Sequence, residues 1–191
     1  LPQFTLPTDF VPPEGGLHYR WPDLPGPQLE TRIEHKLAAV AAFARANPLD
    51  KRIYDLPDAR FGIVTTGKAY LDLLAALQVL GLDQAAARDI GLDIYKVGLV
   101  WPLERSGALE FVHGKQEVLV VEEKRGIIES QIKEYMSEPD NPGEVLITGK
   151  QDESGAPLIP YVGELGPNML AGFIAQRLTR LFGLDFSDRL A

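Results

Sequence analysis

Between residues 61 and 182 the chain alternates two apolar patterns: short, nearly continuous runs, and longer stretches whose apolar residues recur at helical spacing. Phe61 to Thr65 is the first run, "DIYKVGLV" the second, "EVLVVEE" the third and "EVLITG" the fourth. Their β-branched and apolar content predicts strands buried on both faces. Lys68 to Leu80 between them reads as an amphipathic helix closed by Gly81, and Asp83 as the N-cap of a brief helix that Gly91 ends after Ile90. Pro102 opens a further helix that carries Leu103, Leu109 and Phe111 and stops near Gly114. Gly126 to Tyr135 and Pro167 to Phe182 complete the set. Strand and helix in strict alternation predict an α/β fold, a three-layer α/β/α sandwich around a mainly parallel sheet of four to five strands. Its crossovers are expected to be right-handed.

The first fifty residues are patterned differently. Pro2, Pro7, Pro12, Pro13, Pro22, Pro25 and Pro27 rule out a helix or a central strand over most of the first thirty, because proline fixes φ and removes a backbone donor. Phe4, Phe10, Tyr19 and Trp21 are interleaved with them, which is unlike a disordered linker. An extended arm that packs against a neighbouring domain or subunit is the expectation, with an arm folded back on its own domain the plainer alternative. Gln28 to Ala46 then turns helical through Leu29, Ile33, Leu37, Val40, Ala41 and Ala44, and Asn47-Pro48 ends it. "RIYDL" is a short edge strand or an extended connection. The division is therefore an arm and connecting helix over 1–50 and an α/β domain over 51–191.

Composition narrows the functions available. The formal net charge of −8 disfavours nucleic acid and anionic membrane as partners. No apolar run approaches the roughly 20 residues that span a bilayer. Cysteine is absent, so disulfides, thiolate zinc sites and iron–sulfur ligation within this chain are excluded. A cytoplasmic location fits that absence. The chain begins at Leu1, without a start Met, and is expected to be a piece of a longer protein.

One stretch imitates a nucleotide site. In "GIVTTGKAY", Gly62 is followed after four residues by Gly67-Lys68, one hydroxyl short of a phosphate-binding loop, because Ala69 stands where Ser or Thr would hold Mg²⁺. Gly62 falls inside the strand, too early for such a loop. What remains is a strand-to-helix turn, Thr65, Thr66, Gly67 and Lys68, whose free N–H groups and helix dipole favour an anion. The plainer reading is Thr66 as helix cap and Gly67 as a tight turn. Glu122 and Glu123 end another strand at the same edge, and adjacent residues on a strand face opposite ways, so anchoring of loops is expected before paired-carboxylate catalysis. Trp101-Pro102 ends a third strand there. His18, His35 and His113 share no metal-like spacing, and no Ser–His–Asp set or nucleophile elbow occurs.

"GIVTTGKAYLDLLAAL", "YKVGLVWPLE" and "VLVVEEKRGIIESQIKE", in that order, resemble the 2-oxoacid:ferredoxin oxidoreductases, and among them the long, fused indolepyruvate ferredoxin oxidoreductases. The resemblance runs from about Lys51 to Leu165 and falls on that family's transketolase C-terminal-like domain. "LPTDFVPPEGGLHYRWPD" and "KLAAVAAFARAN" resemble, more loosely, the segment that joins this domain to the pyrimidine-binding domain. It implies a parent enzyme that decarboxylates arylpyruvates such as indolepyruvate with thiamine diphosphate and Mg²⁺. Electrons pass through 4Fe–4S clusters to ferredoxin, and an aryl-acetyl group passes to coenzyme A. It also implies pyrimidine-binding and diphosphate-binding domains as neighbours, and a homodimer. The Gly-Asp-Gly thiamine diphosphate motif and the cluster cysteines are missing here, so no catalytic residue and no cofactor is expected in this piece. On this reading Thr65, Thr66, Gly67 and Lys68 form an interdomain or anion-binding turn, and Trp101, Glu122 and Glu123 are candidate interdomain contacts. Coenzyme A at the Thr66–Lys68 turn is the alternative.

Overall fold

A computed structural model describes residues 3–17, 26–139 and 143–190. The predicted strands appear as β2 (Phe61–Thr66), β3 (Leu92–Val97), β4 (Glu117–Val121) and β5 (Leu146–Thr148), while "RIYDL" contributes only Arg52 to the two-residue β1 (Lys51–Arg52) and is otherwise a connection. The sheet order is β1-β3-β2-β4-β5. β3, β2, β4 and β5 are parallel, while β1 pairs antiparallel with β3 at the edge, Lys51 opposite Lys96. Ile63 of β2 lies opposite Ile94 on one side and Leu119 on the other, so the most apolar segments meet at the centre.

Two helical layers cover the sheet. Ile63, Ile94, Leu119 and Val121 point into a core closed by α2 (Gly67–Val79), α3 (Gln84–Ile90) and α6 (Pro167–Phe182), with Leu73, Leu77, Leu170, Ile174 and Leu178 fully buried. Val64, Tyr95, Val118 and Val120 point the other way, against α4 (Arg105–Val112) and α5 (Ile127–Met136). Each fully buried Leu or Ile stabilises the fold by about 1.5–3 kcal/mol. The chain moves from β2 to β3 through α2 on one face and from β3 to β4 and β5 through α4 and α5 on the other. Opposite directions on opposite faces are what a single right-handed crossover rule demands.

Local chemistry explains the boundaries. The Asp83 carboxylate accepts from the Ala86 N–H at 2.8 Å and Gly91 closes α3 at φ 75°. α4 starts later than Pro102: the chain bends at the cis Trp101-Pro102 bond, and Glu104 caps the helix by accepting from Ser106 and Gly107 N–H. A last short helix, α7 (Ser187–Leu190), has no counterpart in the sequence pattern.

The arm folds back on its own helix over its described part. Asn47, at the end of α1 (Pro27–Ala46), accepts from the Thr5 N–H at 2.8 Å and donates to the Thr5 carbonyl at 2.9 Å. Arg45 pairs with Asp9 at 2.8 Å, and the Phe4 and Phe43 rings lie 5.7 Å apart. His18, Tyr19 and Trp21, with Pro2, Pro22 and Pro25, lie outside the described residues.

Candidate functional site: the carboxyl edge of the sheet

Strand order reverses direction at β2, so β2 and β4, which lie side by side, send their chains away to opposite faces. Open α/β sheets bind ligands in the crevice outside the carboxyl ends of such a pair. Thr65, Thr66, Gly67 and Lys68 leave β2 at this point, and Glu122 and Glu123 leave β4.

Gly62 lies within β2, where a Cβ would stand 2.8 Å from Lys115 Cδ and 2.9 Å from Phe111 Cε1. Its role is close packing, which explains the near match to a phosphate loop. Gly67 is the turn residue, at φ 54°. Thr66 does not cap α2; its hydroxyl donates to the Val97 carbonyl at 3.0 Å and ties β2 to β3. Thr65 is fully buried, and its hydroxyl has no partner among the described residues. Lys68 is hemmed in by carboxylates: Asp72 at 2.7 Å, Glu164 at 3.1 Å and Glu123 at 3.9 Å. The hydrogen bonds to Asp72 and Glu164 hold its ammonium above the usual lysine range.

The two glutamates part company. Glu122 is buried and accepts from the N–H groups of Ile128 and Glu129 at 2.9–3.0 Å, filling the N-terminus of α5 with a negative charge from within the domain. Burial pushes its carboxyl above the ordinary glutamate value, and those same N–H donors oppose the rise. Glu123 accepts from the Leu165 N–H at 3.0 Å.

That last bond belongs to a strap. Ile159 to Gly166 runs across the carboxyl edge, anchored by Ile159 and Leu165 in the core. Lys150 donates to the Glu122 carbonyl at 2.6 Å and the Pro160 carbonyl at 3.2 Å, Lys124 donates to the Gly163 carbonyl, and Lys68 to the Leu165 carbonyl. Glu129 organises the floor beneath, accepting from Lys133 at 2.6 Å and from the Lys150 N–H at 2.8 Å. A Cβ at Gly149 would approach Glu129 Oε2 to 2.4 Å, so the close approach of this carboxylate requires glycine. Burial lowers the Lys150 ammonium below its usual range, against the pull of Glu122 and Glu129.

Beside the strap an open cleft of about 580 Å³ is bordered by Trp101, Arg125, Ile127, Lys133, Lys150 and Tyr161. Trp101 is 60% exposed, Ile127 48% and Tyr161 47%, and the Arg125 guanidinium lies 5.8 Å from the Tyr161 ring centre. Lys150, Glu129 and Tyr161 carry no sequence motif of their own. One signal was available: "TTGK" at the end of β2 returns as "ITGK" at the end of β5, a second lysine at the carboxyl end of a strand. Among the described residues no group of three or more His, Asp or Glu side chains can hold a metal ion, and no helix is long and apolar enough to cross a membrane.

Residues 51–185 match the family model of the indolepyruvate oxidoreductase domain. The indolepyruvate oxidoreductase subunit IorA of Pyrococcus horikoshii is 32% identical over 131 residues, 69% of this chain and 18% of that protein. Its counterpart in Methanothermobacter marburgensis is 25% identical over 145 residues, 75% of this chain and 22% of that protein. The chain thus spans about a fifth of the length of the curated relatives it matches. A solved structure, 2-oxoglutarate:ferredoxin oxidoreductase from Magnetococcus marinus with 2-oxoglutarate, coenzyme A and succinyl-CoA bound, shares the fold. Its TM-score is 0.51 at 15% identity, covering 82% of this chain and 24% of that one.

Proposed function

The chain belongs to the indolepyruvate oxidoreductase domain family, and from that premise we propose that it is a structural, non-catalytic domain of a larger aryl 2-oxoacid:ferredoxin oxidoreductase. The parent enzyme would use thiamine diphosphate with Mg²⁺, iron–sulfur clusters and coenzyme A to turn arylpyruvates into aryl-acetyl-CoA, in the cytoplasm and as a homodimer. The domain's task is to hold the pyrimidine-binding and diphosphate-binding domains in place through its carboxyl edge. Trp101 offers the exposed contact; Glu122 and Glu123 act behind it, by fixing α5 and the strap.

The observation that carries this reading is the strap. The crevice in which a fold of this kind would take a ligand is crossed by the chain's own Ile159–Gly166 segment, held by Lys68, Lys124, Lys150 and Glu123. The residues present do not fit the parent's cofactors: there is no cysteine for a cluster, and the described carboxylates form no metal-binding group. No catalytic step is assigned to this chain. Coenzyme A at the Thr66–Lys68 turn gains no support from the geometry, because three carboxylates surround the one cation of that turn.

Thermal unfolding of the chain with thiamine diphosphate, coenzyme A or ATP, each with and without Mg²⁺, tests the reading. A ligand that binds only the native state raises the midpoint by mass action. The expected midpoint is the same in every case; a rise with coenzyme A alone would return the Thr66–Lys68 turn to the status of a binding site.

A further inference from the structure

The cleft beside the strap has an imbalance that its own domain leaves uncorrected. Among the described residues the Arg125 guanidinium makes no hydrogen bond and no ion pair; it lies 5.8 Å from the Tyr161 ring centre. Lys150 spends two donors of its ammonium on carbonyls, and the same ammonium lies 5.5 Å from the Tyr161 ring centre. The acids nearby are already spent. Glu122 is taken by the amides of α5, and Glu129 by Lys133 and the Lys150 N–H. The cleft therefore keeps the unused donors of the Arg125 guanidinium within a chain of net charge −8. Around those donors stand the exposed side chains of Trp101, Ile127 and Tyr161, with Val162 80% exposed beside them. Trp, Tyr and Arg at a desolvated centre are the side chains that carry most of the binding energy in protein interfaces.

We propose that this cleft docks an acidic polypeptide segment from the rest of the parent subunit, one that sets a carboxylate on Arg125 and an apolar side chain between Trp101, Ile127 and Tyr161. The proposal rests on the reading of this chain as one domain of a larger subunit. Three observations favour a polypeptide of that chemistry. Charge is complementary, since a carboxylate matches the planar fork of an unpaired guanidinium. About four-fifths of the length of the curated relatives lies outside the matched region, so polypeptide is the material at hand. The rim aromatics are too exposed to serve the fold, and a contiguous apolar patch ringed by polar groups marks an interaction surface.

Hydroxyl-radical footprinting read by mass spectrometry on the isolated chain and on the full-length subunit tests this directly. Oxidation of Trp101 and Tyr161 is expected to fall about fivefold or more in the full-length protein, as befits the buried centre of an interface. Carbodiimide, which joins amines to carboxylates in direct contact, is expected to link Lys124 or Lys133 to an Asp or Glu beyond residues 1–191. Arg125→Glu should restore oxidation in the full-length subunit, and Arg125→Lys should keep most of the protection. The midpoint of the isolated Arg125→Glu chain shows whether the variant folds, and should it not, Ile127→Asp serves in its place. Equal oxidation in both proteins overturns the proposal. So does protection that survives Arg125→Glu, or protection of the isolated chain by coenzyme A or inorganic phosphate. A full-length subunit that fails to turn over any 2-oxoacid while Trp101 stays protected would sink the proposed function and leave the docking surface standing.

Discussion

Lys150, at the carboxyl end of the sheet, and Lys115, at its amino end, are both 3% exposed, but their surroundings differ completely. Lys150 bridges two carbonyls and faces Glu122 and Glu129. Lys115 sits 4.3 Å over the Phe111 ring, and its ammonium has no hydrogen-bond partner among the described residues. The first cation is a fastener, converting the crevice of an α/β sheet into a closed edge. The second is a burden on the fold, covered because Gly62 leaves room for its stem. A buried charge thus says nothing by itself about function; what its donors reach decides.

The amino end also holds a buried polar lock, and breaking it should have the largest effect. Arg177, 2% exposed on α6, donates to both oxygens of the buried Glu117 and to Glu153. Arg177→Met leaves Glu117 buried with the Thr148 hydroxyl and the more distant Arg180. A loss of about 3–5 kcal/mol is expected in urea unfolding, because the remaining buried charge loses its close bidentate partner. Replacing both partners, Glu117→Gln with Arg177→Met, should recover much of it, since the desolvated charges leave together. Next comes the fastener. Lys150→Met strands the Glu122 and Pro160 carbonyls, and unsatisfied buried acceptors cost about 2–4 kcal/mol in all. Amide exchange over residues 159–166 should accelerate more than elsewhere; uniform acceleration would mean that Lys150 stabilises the whole fold rather than the strap.

The sequence reading succeeded where local chemistry decides the outcome. Asp83 and Gly91 bracket α3, and α6 runs from Pro167 to Phe182 as its apolar spacing requires. The fold followed from those elements, because alternating strands and helices admit few arrangements. What stayed hidden depends on partners far along the chain. Glu122 reaches six and seven residues ahead to cap α5, Lys124 thirty-nine to Gly163, and Glu123 forty-two to Leu165. No period or cap signal encodes such pairs. Thr66 misled for the opposite reason: a hydroxyl before a helix is the ordinary cap, but Val97 on the adjoining strand offered its carbonyl instead.

Lys115 gives the comparison a pH signature. Burial drops its pKa from 10.5 to about 8, with Asp93 pulling it back up and Arg52 adding to the drop. Because the folded value lies below the unfolded one, the unfolded chain holds the extra proton between them, and stability rises as pH climbs from about 8 towards 10.5. Lys150 adds a rise of the same sign, so the test is a difference. Lys115→Met should be more stable than the parent chain at pH 7, by about 1–2 kcal/mol, and the gap should shrink by pH 9.5. A gap constant across that range would show that Lys115 is not the group responsible.

The smallest expected effect separates the edge that serves the fold from the rim that faces outward. Arg125 is exposed, its side chain forms no ion pair among the described residues, and its guanidinium meets the Tyr161 ring. Arg125→Ala should therefore change the stability of the isolated chain by no more than about 0.5 kcal/mol, as for a surface residue without structural duties. Lys150 lies in the same cleft and its removal is expected to cost several times as much. If the two variants proved equally damaging in urea unfolding, Arg125 would belong to the strap's anchorage and its unused donors would need no partner. Should only Lys150 matter, the cleft divides into a floor that holds the domain together and a rim that the domain itself does not require.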